Sequence, residues 1–290
     1  MNALRTGIAW ILISEAMFAV MRVATRFGAA EVPGLEIGAA RFLGGALITW
    51  LIARARGASL RVVDQRTAWT RSLFGALNAS AVFYVLGSSR IAVGDAATLA
   101  AVGPLFVALL SLPVIREKVS RRVILGAGLG FAGVVFLVKP AFRTAGDLAL
   151  VSLCGALAYS IAMLSLRRLS TRETTESIVF HVSLVAGGML LLFSLPTLVR
   201  PAPGAWGPIG LSALAGALGQ LAMSRAYAMD RAARMSAFGY VGVVFTYGLE
   251  ALVWRRPPGL HQILGAAMVS GAGIILAFRR PRVSLDTPVT

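Results

Sequence analysis

The chain has few of the residues that build soluble enzymes and metal sites. Its 290 residues include one cysteine and two histidines, and only 14% of them are charged. The lone Cys154 excludes a disulfide framework and a cysteine-based metal site. Soluble domains carry about 25% charged residues, so an ordinary water-soluble fold is disfavoured. We expect no metal, no cofactor and no catalytic group.

Several missing motifs exclude intramembrane enzymes and ATP-driven pumps. A membrane metalloprotease needs His-Glu-x-x-His, whereas His181 and His261 stand alone. A Gly-x-Ser-x-Gly motif is absent, and Asp95 and Asp230 lie near the ends of apolar runs rather than paired inside them. There is no Walker A motif, so the chain does not drive itself with ATP. We therefore expect a protein that is not an enzyme.

Apolar sequence is what the chain has in abundance. Hydrophobic residues make up 57% of it and the mean hydropathy is +0.78. Apolar runs recur that are each long enough, at about 20 residues, to cross a bilayer. Glu15 and Arg22 interrupt the first run, which favours a first transmembrane helix over a cleaved signal peptide. The runs predict ten transmembrane helices, at residues 6–27, 35–53, 68–89, 92–115, 122–138, 147–166, 178–199, 206–228, 232–254 and 261–278.

The cations lie between the apolar runs, so the net charge of +16 does not indicate a nucleic-acid partner. With the N-terminus inside, 19 Lys and Arg residues fall on inner segments, including those around 54–71, and 7 on outer segments. The positive-inside rule then places both termini in the cytoplasm and requires an even number of helices. We expect a multi-pass protein of the bacterial inner membrane, with the lipid bilayer as its surroundings.

The two halves of the chain resemble each other at an offset of about 139 residues. Residues 101–106, AVGPLF, align with residues 240–245, YVGVVF. Five helices in each unit force the second unit to insert upside down, which is the inverted repeat of many secondary transporters. We predict a first five-helix repeat over 1–139, a second over 140–280 and a cytoplasmic tail over 281–290.

The segment 95–138 carries a family resemblance. It begins with an Ala-rich helix start, places Pro104 and Phe106 mid-helix and Glu117 at the helix end, and continues into a glycine-rich helix. In these features it resembles the EamA domain of the drug/metabolite transporter superfamily. The resemblance implies a ten-helix carrier with a central cavity, often an exporter of amino acids or related metabolites. The second half departs from the pattern, with Val243 where a proline is expected and Arg256 near the position of Glu117.

Ionisable residues inside the predicted helices each require an explanation, because they cost about 2.5–3.5 kcal/mol at the bilayer centre. Glu15 is expected near mid-membrane, either as a site for proton coupling or a substrate ammonium, or as a structural ion-pair partner. Arg22, Glu36, Arg41 and Glu250 are expected to form a charge cluster in the outer half of the membrane. The cluster either ties helices one, two and nine together or grips a substrate carboxylate.

Uncharged polar side chains supply the remaining candidates for a substrate cavity. For the tyrosines the alternative is an interfacial belt or hydrogen bonding between helices. The candidates are Asn78, Tyr84, Tyr159, Gln220, Ser224, Tyr240 and Tyr247.

Two further features concern helix shape. Pro104 is expected to bend helix four around the cavity as a hinge. Helices five and ten are rich in glycine, so they are interpreted as surfaces for close packing or for a homodimer.

The sequence therefore predicts a secondary transporter for a small-molecule substrate, most simply an exporter of amino acids or related compounds. Nucleosides, sugar conjugates and drug cations remain alternative substrates, and a non-transporting membrane scaffold is an alternative of another class. Coupling to protons and uncoupled facilitation both stay open.

Overall fold

The computed structural model describes residues 2–90, 100–138, 146–255 and 259–277. Within these ranges the protein is helical throughout and contains no strand. The α-helices of the described part are α1 (Asn2–Gly28), α2 (Gly34–Arg56), α3 (Gln65–Gly87), α4 (Gly103–Ile115), α5 (Arg121–Val138), α6 (Gly146–Leu169), α7 (Thr175–Ser194), α8 (Trp206–Met229), α9 (Ala232–Phe238), α10 (Tyr240–Val253) and α11 (Leu260–Ala277). The predicted tail 281–290, the start of predicted helix four and Arg256 lie outside the described residues.

The outside of the helical bundle is apolar, which identifies a membrane protein. Leu47, Leu109 and Leu150 are each more than half exposed, and many other large apolar side chains also face outward. Soluble monomers rarely expose such a continuous apolar surface. Five segments of the described chain are long and apolar enough to span a bilayer, namely Thr6–Gly28, Gly34–Arg56, Gly146–Leu169, Thr175–Thr197 and Ala232–Val253.

Helices from the two halves of the chain pack against each other in pairs. The largest interfaces join α1 to α8, α2 to α7, α3 to α6 and α5 to α11. Smaller interfaces join α2 to α8 and α3 to α7, and likewise α1 to α10 and α4 to α6. If α1–α5 are exchanged for α6–α11, with α9 and α10 counted as one helix, these interfaces map onto one another. The packing thus has an internal two-fold pattern.

Three helices depart from their predicted bounds, each at a residue that disfavours a helix. Predicted helix seven reaches residue 199, but α7 ends at Ser194 because Pro196 follows, and a short 3₁₀ helix takes over. Predicted helix nine is divided at Gly239 into α9 and α10. Predicted helix four is interrupted by a turn at residues 101–102, directly before Pro104. The last two breaks lie at corresponding positions of the two halves.

The close approach expected of the glycine-rich helices takes place within one chain. A side chain at Gly133 of α5 would meet Gly265 and Met268 of α11 at 2.8–3.0 Å. By contrast, Gly128 and Gly271 have no described neighbour within 4 Å at the Cβ position. One glycine face of these helices is therefore buried where α5 packs against α11, whereas a second glycine face remains open.

One end of the bundle is held by ion pairs between the ends of helices and a connector. Arg167 Nε donates to Glu117 Oε1 at 3.0 Å, and the backbone N–H of Ala232 donates to the other oxygen of Glu117 at 3.2 Å. Glu176 lies 3.2 Å from Arg56 and 3.9 Å from Arg225. We call this layer, Glu117, Arg167, Glu176, Arg56 and Arg225, the ion-paired end. It joins the C-terminal ends of α2, α6 and α8 to the N-terminal ends of α7 and α9.

Candidate functional site

A cavity of about 170 Å³ lies between the two halves of the bundle. Its walls come from α1, α2, α3, α6 and α8 and from the two interrupted helices, which contribute Pro104 and Gly239. Pockets for drug-sized ligands start at about 300 Å³, so this cavity suits a small metabolite. The charged side chains that line it in the described part of the chain are Glu15, Arg22, Arg41 and Arg71.

Glu15 and Arg22 of α1 form a loose ion pair on the cavity wall. Glu15 Oε2 lies 3.9 Å from Arg22 Nη2, and Arg22 also donates to the hydroxyl of Thr246 on α10 at 3.1 Å. The Glu15 carboxylate lies against Gly239 and Gly242, because a Cβ on either glycine would contact it. Glu15 therefore touches the point at which helix nine is interrupted.

Arg41 of α2 lines the cavity and contacts α8. Its Nη2 donates to the carbonyl oxygen of Gly216 at 3.0 Å, and its guanidinium lies 3.8 Å from the ring centre of Phe42. A side chain at Gly216 would overlap this guanidinium, so the glycine makes room for it. Arg41 is only 3% exposed, and its Nε has no hydrogen-bond partner among the described residues.

Arg71 is a cavity residue that was not among the candidates predicted from the sequence. The charge count assigns it to the cations of an inner segment, but the structure places it inside α3, 3% exposed and facing the cavity. Its guanidinium passes over Gly75 of the same helix, and its buried Nε has no hydrogen-bond partner in the described part of the chain. Helical spacing is the signal that could have found it, because Arg71 and Asn78 are seven residues apart on one face.

The neutral polar residues of the cavity are Asn78, Ser152, Tyr159 and Gln220. Asn78, Tyr159 and Gln220 are predicted candidates that the structure brings to the same wall, whereas Ser152 on α6 was not a candidate. Gln220 is 6% exposed on α8. Amide and hydroxyl groups of this kind orient a polar ligand without adding charge.

Four other predicted candidates lie away from the cavity lining. Ser224 and Tyr240 are 1% exposed in the helical core, and their hydroxyls have no hydrogen-bond partner among the described residues. The ring of Tyr240 packs on Gly130 of α5. Tyr84 is 49% exposed on the outside of α3, as an interfacial tyrosine would be, and Tyr247 is half-buried against the core.

The expected cluster of two arginines and two glutamates does not assemble as one unit. Arg22 and Arg41 both line the cavity, but Glu36 accepts a hydrogen bond from the backbone N–H of Val199 at 3.1 Å, in the connector after α7. Glu250 is half-buried near the end of α10 and does not line the cavity. A neighbour 163 residues away in the chain satisfies Glu36, which residue spacing could not reveal.

Pro104 lies on the cavity wall in the first turn of α4. It does not interrupt the middle of a continuous helix, because the turn at residues 101–102 precedes it. At the first turn a proline costs little, since its missing N–H would have had no partner there. Val243, its counterpart in the second half, also lines the cavity.

The cavity is separated from the ion-paired end by tightly packed core. Tyr227, Tyr240 and Met235 are at most 1% exposed there. Below them Arg167 donates to the carbonyl oxygen of Tyr227 at 2.8 Å and pairs with Glu117. From its sequence position Glu117 is a residue at a helix end, and its bridge between α6 and α9 is visible only in the fold.

Comparisons with known proteins agree on one family. The EamA-like transporter family model matches residues 5–139 and 146–279. The Pseudopaline exporter CntI of Pseudomonas aeruginosa is 28% identical over 279 residues, covering 96% of this chain and 98% of its own. An uncharacterised transporter of Helicobacter pylori is 23% identical over 95% of this chain and 96% of its own.

A solved crystal structure gives the same fold. It is 19% identical to this chain, has a TM-score of 0.78 and aligns over 95% of this chain and 97% of its own. The likeness supports the helical arrangement described above. Because the family match spans nearly the whole chain, this chain belongs to the EamA-like transporter family.

Proposed function

We propose that this chain is a secondary transporter that exports small polar metabolites across the bacterial inner membrane. The observation that carries the proposal is the cavity between the two halves, whose mostly apolar wall carries four charged side chains inside an apolar helical bundle. Buried charge of this kind is expensive in a membrane and marks a substrate or ion pathway. Membership of a transporter family supports the same conclusion.

The proposed topology has ten transmembrane helices in two inverted five-helix repeats, with both termini in the cytoplasm. The two-fold pattern of helix packing supports it, as do the two family matches at residues 5–139 and 146–279. Contacts between helix ends also fit, because Arg225 of α8 lies 4.8 Å from the ring of Trp10 in α1 while Phe27 stacks on Trp254 at the opposite end. On this topology the ion-paired end is cytoplasmic.

The class of substrate follows from the cavity and the relatives together. A pseudopaline exporter among the relatives supports export of a small metabolite. Neither relative is named as an amino-acid carrier, so these relatives do not favour amino acids over other small polar compounds as the substrate. The cavity of about 170 Å³ agrees with a compact solute.

Alternating access gives the two interrupted helices a role. Discontinuous helices beside a central site are typical of secondary transporters. The breaks before Pro104 and at Gly239 both border the cavity. We propose that the half-helices α4 and α10 shift at these breaks when the Glu117–Arg167 bridge opens, exposing the cavity to the cytoplasm.

Proton coupling is proposed for Glu15. Its carboxylate touches Gly239 and Gly242, so a change in its charge acts directly on the break in helix nine. Gly242→Ala would displace the carboxylate and should remove the response of transport to a pH gradient. Gly248→Ala is the matched control on the same helix, because its Cβ position has no neighbour within 4 Å. Equal pH responses in both variants would contradict the coupling role.

A homodimer is proposed through the open glycine faces of α5 and α11, at Gly128 and Gly271. Single-cysteine cross-linking of a Cys154→Ser background tests it. Cross-links at Gly128→Cys in membranes support the dimer, and their absence at every position of both faces contradicts it.

Everted membrane vesicles test the transport proposal even while the substrate is unidentified. Vesicles with the wild-type chain and vesicles without it are incubated with an unfractionated extract of bacterial metabolites, and their lumenal contents are compared by mass spectrometry. An exporter accumulates one or more metabolites in the lumen at a rate that saturates with extract concentration. Identical contents in both kinds of vesicle would favour a non-transporting scaffold.

A further inference from the structure

We infer that the cavity binds a small metabolite that carries two carboxylate groups, and that Arg41 and Arg71 are the residues that select it. The inference rests on the proposed function and narrows its substrate class. It depends on the charge balance of the cavity wall, on the partners of each arginine and on how the two guanidiniums are held apart.

The charge balance of the described cavity wall is positive. Three arginines and one glutamate line it. Glu15 lies within ion-pair distance of Arg22, at 3.9 Å, so this pair is close to neutral. The remaining two positive charges belong to Arg41 and Arg71. Buried charges are normally paired, so a ligand with two negative charges fits this wall.

Neither of these two arginines has a carboxylate partner in the described structure. No Asp or Glu oxygen among the described residues lies within 4.0 Å of either guanidinium. Both residues are 3% exposed, and the Nε of each has no hydrogen-bond partner. Arg41 donates one hydrogen bond to a backbone carbonyl, which leaves most of its five N–H groups available. Both guanidiniums therefore keep hydrogen-bonding capacity for a ligand.

The two guanidiniums are held separately rather than as a single clamp. Arg41 is held by Gly216 of α8 and by the ring of Phe42 on its own helix α2, whereas Arg71 passes over Gly75, whose Cβ position also approaches Val182 of α7. Two separate carboxylates would give each guanidinium its own planar partner.

This charge pattern discriminates between the substrate classes that the sequence left open. A drug cation would add a third uncompensated positive charge, and a neutral nucleoside would leave both arginines unpaired. Buried polar groups left unpaired by the wrong ligand cost affinity, which is how such sites reject analogues. Asn78 and Gln220 supply neutral hydrogen bonds to the rest of the solute.

Binding of defined probes to the full-length chain in nanodiscs tests the inference. The probes are glutarate, its monocarboxylate analogue butyrate, its diamide glutaramide, inorganic phosphate and putrescine, each titrated while the melting temperature is recorded. We expect glutarate to bind at least about 10-fold more tightly than butyrate and at least about 100-fold more tightly than glutaramide, since each lost charge-assisted hydrogen bond is worth about 10-fold. Butyrate should fall between them, and putrescine should not stabilise the protein.

Matched variants assign the selectivity to the two arginines. Arg41→Gln and Arg71→Gln should each reduce the preference for glutarate over butyrate to less than about 3-fold, because only one carboxylate then keeps a charged partner. Arg54→Gln on α2 and Arg66→Gln on α3 remove exposed arginines from the same helices and should keep it. If a cavity variant does not fold, the selectivity of the wild-type chain among the probes still decides the question.

The inference is overturned if glutaramide or putrescine stabilises the wild-type chain as much as glutarate does, or if no probe stabilises it. Preferential stabilisation by phosphate would replace the carboxylate assignment with a phosphate ligand. The vesicle experiment tests the transport proposal separately. If vesicles still accumulate a metabolite from the extract, a negative binding result overturns the dicarboxylate inference but not the transport proposal.

Discussion

The two halves of this protein build the same helices but contribute differently to the cavity. All four charged side chains of the described cavity wall come from α1, α2 and α3. The second half supplies neutral groups such as Ser152, Tyr159 and Gln220. At the offset of 139 residues, Glu15 corresponds to Cys154 and Arg41 to Phe180. The repeat thus accounts for the fold, whereas the proposed selection of substrate rests on charged residues of the first half.

The difference extends to the interrupted helices. Pro104 lies in the first turn of α4 in the first half, and Val243 stands at the corresponding place in the second. Both border the cavity, and the second break, at Gly239, touches Glu15. A charged residue of the first half therefore meets the helix break of the second half. We propose that ligand or proton binding is converted into movement at this contact.

The largest effect is expected when the charge difference between the halves is removed. The double variant Arg41→Gln with Arg71→Gln should lower the initial rate of vesicle transport at least about 100-fold, because two charge-assisted interactions are lost. The control is the double variant Arg54→Gln with Arg66→Gln, which should stay within about 2-fold of wild type, since surface substitutions have small effects. If the cavity variant were fully active, the neutral side chains of the second half alone would be sufficient for transport.

Glu15→Gln should have the next largest effect. It removes the acid of the cavity while keeping its shape, so transport driven by an imposed pH gradient should fall at least about 10-fold, to the rate measured without a gradient. Initial rates in liposomes with and without the gradient measure this. An unchanged ratio of the two rates would assign Glu15 to a purely structural pair with Arg22.

Pro104→Ala tests the asymmetry of the interrupted helices. If the break before α4 is a hinge, the variant should lower the maximal rate about 3- to 10-fold while the affinity for substrate stays the same. Val243→Ala is the matched control at the corresponding position of the other half. A maximal transport rate equal to that of the wild type in Pro104→Ala would contradict a hinge at this break.

The smallest effect is expected in the neutral half of the cavity. Gln220→Ala deletes one neutral hydrogen-bonding group, worth about 0.5–1.5 kcal/mol, so the affinity for substrate should fall about 2- to 10-fold. Tyr84→Phe, on the outer side of α3, should change nothing. If Gln220→Ala lowered the affinity for substrate as much as Arg71→Gln does, the proposed difference between the two halves in substrate binding would be contradicted.

The helices were predictable because their signals are local. Runs of apolar residues identified the spans, and the correspondence of residues 101–106 with 240–245 identified the repeat. Proline at 196 explains why α7 ends early, but the prediction gave more weight to hydropathy than to this residue. Local patterns therefore predicted the positions and order of the helices better than their ends.

The site was harder to predict because its geometry depends on pairs that are distant in the chain. Glu15, Asn78, Tyr159 and Gln220 were suspected as polar residues within apolar helices, and the structure lines the cavity with them. Arg71 was not predicted as a cavity residue, because its position near a connector was given more weight than the helical face on which it lies. Glu36 was misplaced because its partner, the amide of Val199, is supplied by a connector in the other half.

The most direct test of the account is the charge class of the metabolites that wild-type vesicles accumulate from a cell extract. We predict that the enriched metabolites carry at least two carboxylates, and that the enrichment disappears in the double variant Arg41→Gln with Arg71→Gln. Enrichment of neutral or cationic metabolites, or the same enrichment in the double variant, would contradict the claim that the arginines of the first half select the substrate.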